Sequence, residues 1–100
     1  MRPYFAPGAL ADITDIWEYT FERWDLTQAE RYVSILTAAC EDLALELKHG
    51  RSIVGLAQGY LAYLIESHVI VYRLIRNDST YSIEVVRFLH GRRDFANMRL

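Results

Sequence analysis

The stretch Gly59–His90, GYLAYLIESHVIVYRLIRNDSTYSIEVVRFLH, decides the fold. It contains three runs rich in β-branched and aromatic residues, which are Tyr60–Glu66, Val69–Ile75 and Tyr81–His90. The short polar segments between them, Ser67-His68 and Asn77–Thr80, have the composition of turns. Consecutive strands joined by short turns predict an antiparallel meander, and one face of such a sheet can pack on helices.

The residues before this meander predict two helices. Between Ala9 and Trp24, apolar residues recur every three or four positions and acidic residues occupy the opposite side, which indicates an amphipathic helix. Its apolar positions are Leu10, Ile13, Ile16, Trp17, Phe21 and Trp24. We expect the aromatic residues Trp17, Tyr19, Trp24 and Tyr32 to belong to the core.

The second helix is expected to begin at a capping box, since Thr27 and Glu30 have that spacing, and to end before Gly50, a typical left-handed stop. Its apolar stripe is Ala29, Tyr32, Val33, Leu36, Ala39, Cys40, Leu43 and Leu47, so that Cys40 should be buried. A short edge strand at Arg2–Ala6 completes the order β-α-α-β-β-β. The prediction is a single α+β domain over residues 1–100, with a helical hairpin packed on a small, mainly antiparallel sheet.

Composition excludes several classes of protein. A net charge of −2 and a pI near 5.9 argue against general nucleic-acid binding. The longest apolar run, Tyr60–Ile65, is far shorter than the ~20 residues that span a bilayer, and residues 1–16 do not resemble a signal peptide. One cysteine permits no internal disulfide, and His49, His68 and His90 have no metal-ligand spacing with it. We expect a cytoplasmic protein without metal, cofactor or membrane contact.

Charge is distributed unevenly along the chain. Residues 1–50 hold nine acids and four bases, a net −5, whereas residues 51–100 hold four acids and seven bases, a net +3. This asymmetry indicates a positive face that could meet an acidic partner. The candidate partner-binding residues are Arg73, Arg87, His90, Arg92, Arg93 and Arg99.

Three of these candidates have a structural alternative. Arg73 alternates with Val69 and Val71, and Arg87 with Ile83, Val85 and Leu89, which puts each arginine alone on a largely apolar strand face. Each could pair with a carboxylate from a helix or the tail, or form the floor of a partner groove. His90 could bond a backbone carbonyl at the strand end or contact a target.

An ordered set of segments resembles the ParE branch of the RelE/ParE toxin superfamily. From about Pro3 to Asp94 these are Ala11–Ile13, Ile16–Thr20, Arg23-Trp24, Gln28–Tyr32, Gly50–Ser52, Gly59-Tyr60, Ser67–Arg73 and Val85–Asp94. The most specific are SHVIVYR and VVRFLHGRRD, the last two of the set.

The resemblance implies a function. It indicates the toxin of a type II toxin–antitoxin module, a non-enzymatic protein that inhibits DNA gyrase by binding it. The expected partner is a ParD-like antitoxin with a ribbon-helix-helix N-terminus and a segment that folds on the toxin, in a hetero-oligomer.

Two alternatives stay open. The RelE branch comprises ribosome-dependent mRNA endoribonucleases, whose two catalytic arginines fall on Val69 and Arg93 here and whose C-terminal tyrosine falls near Arg99. Relatives also commonly carry arginines after the Gly-Tyr of the second strand, where this chain has Leu61 and Ala62. That difference leaves room for a toxin-like fold that has lost toxicity.

Overall fold

A computed structural model of the chain describes residues 2–91 as two helices and a four-stranded sheet. The elements are β1 (Tyr4–Phe5), α1 (Pro7–Arg23), α2 (Leu26–Ala44), β2 (Tyr60–Ile65), β3 (His68–Asn77) and β4 (Thr80–His90). The strand order is β1-β4-β3-β2, in which β1 runs parallel to β4 and the other neighbours are antiparallel. The predicted α+β fold is confirmed, and the meander strands lie within two residues of their expected bounds.

The main core lies between the helices and one face of the sheet. From α2 it takes Leu36, Ala39, Cys40 and Leu43, and from the strands Ile70, Tyr72, Ile83, Val85 and Phe88. Cys40 is fully buried, as predicted. Burial raises the pKa of its thiol to about 12, so the thiol stays protonated and unreactive at neutral pH.

A second, smaller cluster covers the opposite face of the sheet. Ala62, Val69, Val71 and Leu89 are buried there beneath Ile53, Leu56 and Tyr60. The loop between α2 and β2 therefore covers that face of the sheet. Within this loop, Arg51 pairs with Ala62 in an isolated antiparallel bridge. Neither helix of the described chain is long and apolar enough to cross a membrane.

The start of α1 agrees with the prediction from the sequence, whereas the start of α2 does not. Ala6 precedes α1 without a side-chain cap, and Pro7 occupies the first helical position, where its missing N–H costs nothing. The expected cap of α2 at Thr27 is wrong, because the helix already begins at Leu26. Asp25 is the N-cap, and its Oδ1 accepts a 2.8 Å hydrogen bond from the Gln28 N–H.

The end of α2 also differs from the prediction. The helix stops at Ala44, and Glu46 adopts the left-handed conformation with φ 61°. Gly50 does not end the helix, and a glycine is required there because of close packing. A Cβ at this position would lie 2.6 Å from the Tyr72 Oη and 2.8 Å from the Ala62 carbonyl oxygen. The Gly50 N–H donates a 2.7 Å hydrogen bond to that Tyr72 Oη. This close approach lets the chain leave α2 and join the edge of β2.

We expect Tyr72→Phe to lower the free energy of unfolding by about 1–2 kcal/mol, because it leaves the partly buried Gly50 N–H without an acceptor. The matched control is Tyr81→Phe, which removes an exposed hydroxyl that donates to Glu46 at 2.6 Å. That change should cost less than about 0.5 kcal/mol. Urea unfolding followed by circular dichroism measures both, and equal losses would contradict the prediction.

Candidate functional site

A cleft of about 690 Å³ opens between α1, the first turns of α2 and the ends of β3 and β4 that meet there. Its lining combines acidic, aromatic and histidine side chains. Within residues 2–91 the lining residues are Asp12, Asp15, Ile16, Tyr19, Thr20, Trp24, Tyr32, Ser67, His68, Arg87, Phe88 and His90.

Asp12 of α1 forms one wall of the cleft and accepts a hydrogen bond from a backbone N–H of β4 that has no partner strand. Strand β1 ends at Phe5, opposite Val85, so it offers no partner to the part of β4 that follows. The Asp12 Oδ2 accepts a 2.9 Å hydrogen bond from the Phe88 N–H. The same carboxylate accepts from Arg87 through Nε at 2.6 Å and Nη2 at 3.0 Å. One helix side chain thus supplies the acceptor that a longer β1 would have provided.

A β-bulge in β4 lies directly before Arg87. Val71 is opposite Arg87 but Tyr72 is opposite Val85, so Val86 is an extra residue in β4. The predicted alternation is therefore wrong for Ile83 and Val85, which are out of phase with Arg87, and holds for Leu89. Val85 and Phe88 both join the helix-side core, whereas Leu89 joins the opposite cluster. The bulge thus changes the phase of the strand between Val85 and Arg87.

Tyr32 and His68 link α2 to the β2–β3 turn at the floor of the cleft. The Tyr32 Oη lies 2.6 Å from His68 Nδ1 and accepts a 3.3 Å hydrogen bond from the Ser67 N–H. Burial raises the pKa of Tyr32, so the hydroxyl keeps its proton at neutral pH and can donate a hydrogen bond to His68 Nδ1 where that nitrogen is the acceptor. The His68 ring meets the His90 ring edge to face at 5.7 Å between centroids.

The aromatic residues of α1 lie outside the core, contrary to the prediction. Trp24 is 70% exposed and Tyr19 is 63% exposed, while Trp17 is half-buried and stacks on the exposed Phe21 at 5.2 Å. The inner side of α1 is formed instead by smaller residues, namely Ala9, Ile13 and Ile16. Periodicity alone could not separate these two neighbouring stripes, because both recur at helical spacing.

The predicted binding residues that fall within residues 2–91 do not form one cluster. Arg87 and His90 line the cleft. Arg87 pairs with a carboxylate from a helix, which is the structural alternative stated for it from the sequence. Arg73 lies elsewhere, exposed on β3, and its Nε donates to Glu84 Oε1 at 2.6 Å. Its partner is on the neighbouring strand rather than on a helix or the tail. Arg92, Arg93 and Arg99 lie outside the described residues.

Most of the cleft was not predicted as a site. The sequence predicted Asp12 and Asp15 on the solvent-facing side of the first helix, and it predicted Tyr19, Trp24 and Tyr32 in the core. The usable signal was their helical spacing: positions 12, 15, 16 and 19 share one side of α1. Within residues 2–91 no group of three or more histidine, cysteine, aspartate or glutamate side chains is placed to hold a metal ion.

Comparisons with known proteins agree on one family. A family model described as the ParE toxin of the type II toxin–antitoxin system parDE matches residues 4–95. Toxin ParE1 of Mycobacterium tuberculosis is 36% identical over 93 residues, covering 93% of this chain and 92% of the relative. Toxin ParE1 of Caulobacter vibrioides is 35% identical over 91 residues, covering 90% of each.

Two solved structures share the fold at lower identity. A chain of the chromosomal ParDE toxin–antitoxin system from P. aeruginosa superposes with a TM-score of 0.73 at 16% identity, covering 90% of this chain and 95% of that one. The YoeB/ParE toxin from Agrobacterium tumefaciens gives a TM-score of 0.60 at 19% identity, covering 90% and 98%.

We expect Asp12→Ala to lower the free energy of unfolding by about 2–3 kcal/mol, because it removes the ion pair with Arg87 and leaves the Phe88 N–H unpaired. Asp12→Asn should cost about 1–2 kcal/mol, since an amide oxygen can still accept from Phe88. Asp15→Ala is the control, an exposed change on the same helix within about 0.5 kcal/mol of wild type. If urea titrations gave the same loss in the free energy of unfolding for Asp15→Ala as for Asp12→Ala, the prediction would be contradicted.

Proposed function

The chain belongs to the family of ParE toxins of type II toxin–antitoxin systems, and we propose that it inhibits DNA gyrase by binding and is neutralised by a ParD-like antitoxin. ParE toxins are not enzymes, so the mechanism is one of surface recognition. In this proposal the toxin acts in the cytoplasm and is stored in a hetero-oligomer with its antitoxin.

The observation that carries the proposal is the exposed apolar surface of the helical hairpin. Large apolar side chains on α1 and at the start of α2 are 45–70% exposed, namely Leu10, Tyr19, Phe21, Trp24 and Leu26. Soluble monomers rarely expose large contiguous apolar patches, and such patches typically mark protein interfaces. Aromatic side chains also dominate the binding energy of protein interfaces. A protein partner that covers this hairpin accounts for the pattern.

The position that a RelE-type nuclease would use for its first catalytic arginine supports binding over cleavage. Val69 occupies that position, and it is only 5% exposed within the cluster beneath the α2–β2 loop. A side chain buried there has no access to a substrate phosphate, whose charge in the transition state needs exposed cations.

The proposed contact residues are Arg73, Arg87 and His90, together with Arg92, Arg93 and Arg99 beyond the described residues. Arg73 and the cleft residues lie at separate places on the surface. We assign Arg73 to the gyrase contact and the cleft to the antitoxin, because the cleft adjoins the exposed aromatic residues of α1.

Expression of the chain alone should arrest growth with filamentation, and co-expression with the upstream reading frame should restore growth. Purified toxin should block supercoiling by gyrase in vitro. Normal supercoiling at saturating toxin would reject gyrase as the target. In that event cleaved mRNA after induction identifies the nuclease alternative, and the absence of any growth defect identifies a toxin-like fold without toxicity.

Single substitutions test the division of the two contacts. We expect Arg73→Ala to weaken gyrase inhibition about tenfold and to change antitoxin affinity less than about twofold, whereas His90→Ala should do the reverse. Arg76→Ala, an exposed arginine on the same strand as Arg73, is the matched control and should affect neither. Supercoiling titrations and calorimetric Kd values for the antitoxin give the two readouts. Equal effects of Arg73→Ala and Arg76→Ala would contradict the assignment.

A further inference from the structure

The loop between α2 and β2 contains a segment that is attached to the sheet at both ends. At one end the backbones of Arg51 and Ala62 exchange two hydrogen bonds, of 3.0 and 2.9 Å. At the other end the chain enters β2 at Tyr60. Residues 52–59, which we call the strap, connect these two attachments. The strap packs on the outer face of the sheet, which is the face opposite the helices.

Between its two ends the strap has few contacts that hold it to the sheet. The Leu56 N–H donates to the Ile53 carbonyl, and the Tyr60 N–H donates to the Ala57 carbonyl, both at 3.2 Å. Among residues 2–91 the hydrogen bonds of the strap therefore stay within it or reach only the residue that follows it. Ile53 and Leu56 are half-buried against the sheet, whereas the other strap residues are exposed and Val54 is 100% exposed. The strap is thus docked through two apolar side chains.

The surface beneath the strap is apolar and closed to solvent. It consists of four side chains that are at most 7% exposed, namely Ala62, Val69, Val71 and Leu89. Gly55 and Gly59 have φ values of 100° and 92°, which suit glycine, and no atom outside their chain neighbours lies within 4 Å of a Cβ built on either. A segment with few buried contacts and only local hydrogen bonds opens at a lower free energy than the whole domain.

We propose that the strap opens and closes as a unit over the outer face while both helices and all four strands stay folded. The closed state covers the four apolar side chains, and the open state presents them to solvent beside Arg73, two positions from Val71 on the same strand face. The outer face thus alternates between a covered and an apolar surface. This device does not depend on gyrase or on an antitoxin, so it is tested on the toxin alone.

A thiol placed beneath the strap measures its opening. Val71→Cys introduces one at a fully buried position, and the native Cys40, fully buried in the main core, is the internal reference. N-ethylmaleimide should modify the introduced thiol at least ~100-fold faster than Cys40, with each rate normalised to that of the urea-unfolded chain. Low urea should barely change the rate at the introduced thiol, because strap opening exposes little surface, and should steeply raise the rate at Cys40. Mass spectrometry of the digested protein measures the two sites separately.

Matched variants in the Val71→Cys background separate opening of the strap from unfolding of the domain. Leu56→Ala should speed modification of the introduced thiol about tenfold, because it weakens docking, whereas Val54→Ala on the exposed side of the strap should change it less than twofold. Ile83→Val in the main core should speed modification of Cys40 about fivefold. It should leave the introduced thiol unchanged, since it destabilises the open and closed states equally.

Equal normalised rates and equal urea dependence at the two thiols would overturn the proposal, because the strap would then open only when the domain unfolds. An Ile83→Val change that speeds both thiols equally, or a Leu56→Ala change without effect, would overturn it as well. Hydrogen exchange of the wild-type protein gives the same answer if Val71→Cys does not fold. The Leu56 and Tyr60 amides should exchange with a shallow urea dependence and the amides of β3 with a steep one, and a uniform dependence would reject the strap.

Discussion

Asp12 connects the first helix to the sheet at the part of β4 that has no partner strand, because β1 ends at Phe5. Strand β1 is two residues long, whereas β4 is eleven, so the far part of β4 has a free edge. A buried backbone N–H without an acceptor costs about 1–3 kcal/mol. The carboxylate of Asp12 satisfies the Phe88 N–H and pairs with Arg87 through two further bonds. Since these three bonds converge on one side chain, they fix the rotation and height of α1 relative to β4.

The cleft follows from this constraint. Once Asp12 faces the edge of β4, helical geometry places Asp15, Ile16 and Tyr19 on the same side, above the ends of β3 and β4. The floor is held independently, because the Tyr32 hydroxyl bridges the Ser67 N–H and the His68 ring. The wall and the floor therefore come from different elements, each fixed by its own polar contacts. Such a cleft is largely preformed, and a partner that enters it loses little affinity to rearrangement of the toxin.

The sequence predicted the elements well and the orientation of α1 poorly. The strands had unambiguous periodicity, and the stripe containing Leu36, Cys40 and Leu43 was correctly identified as core. The bulge at Val86 was invisible, because an inserted residue alters pairing without altering composition. Only Arg87 and His90 of the cleft were anticipated. Asp12 was missed because its role depends on β1 being short, and the distance between a helix acid and a strand amide 76 residues away is a property of the folded chain.

The exposure of aromatic residues on α1 has a thermodynamic consequence for any partner that is unfolded when free. Small residues such as Ala9 on the inner side let α1 approach β4 closely, and the large rings remain outside. Ordering one residue of a flexible segment costs about 1–2 kcal/mol in backbone entropy. Covering ~150 Å² of one aromatic side chain contributes about 4 kcal/mol at ~25 cal/mol per Å². Each ring such as Trp24 thus offsets the ordering of roughly two to four residues. A surface with several exposed rings on a rigid helix can capture a disordered segment, whereas scattered small apolar residues could not.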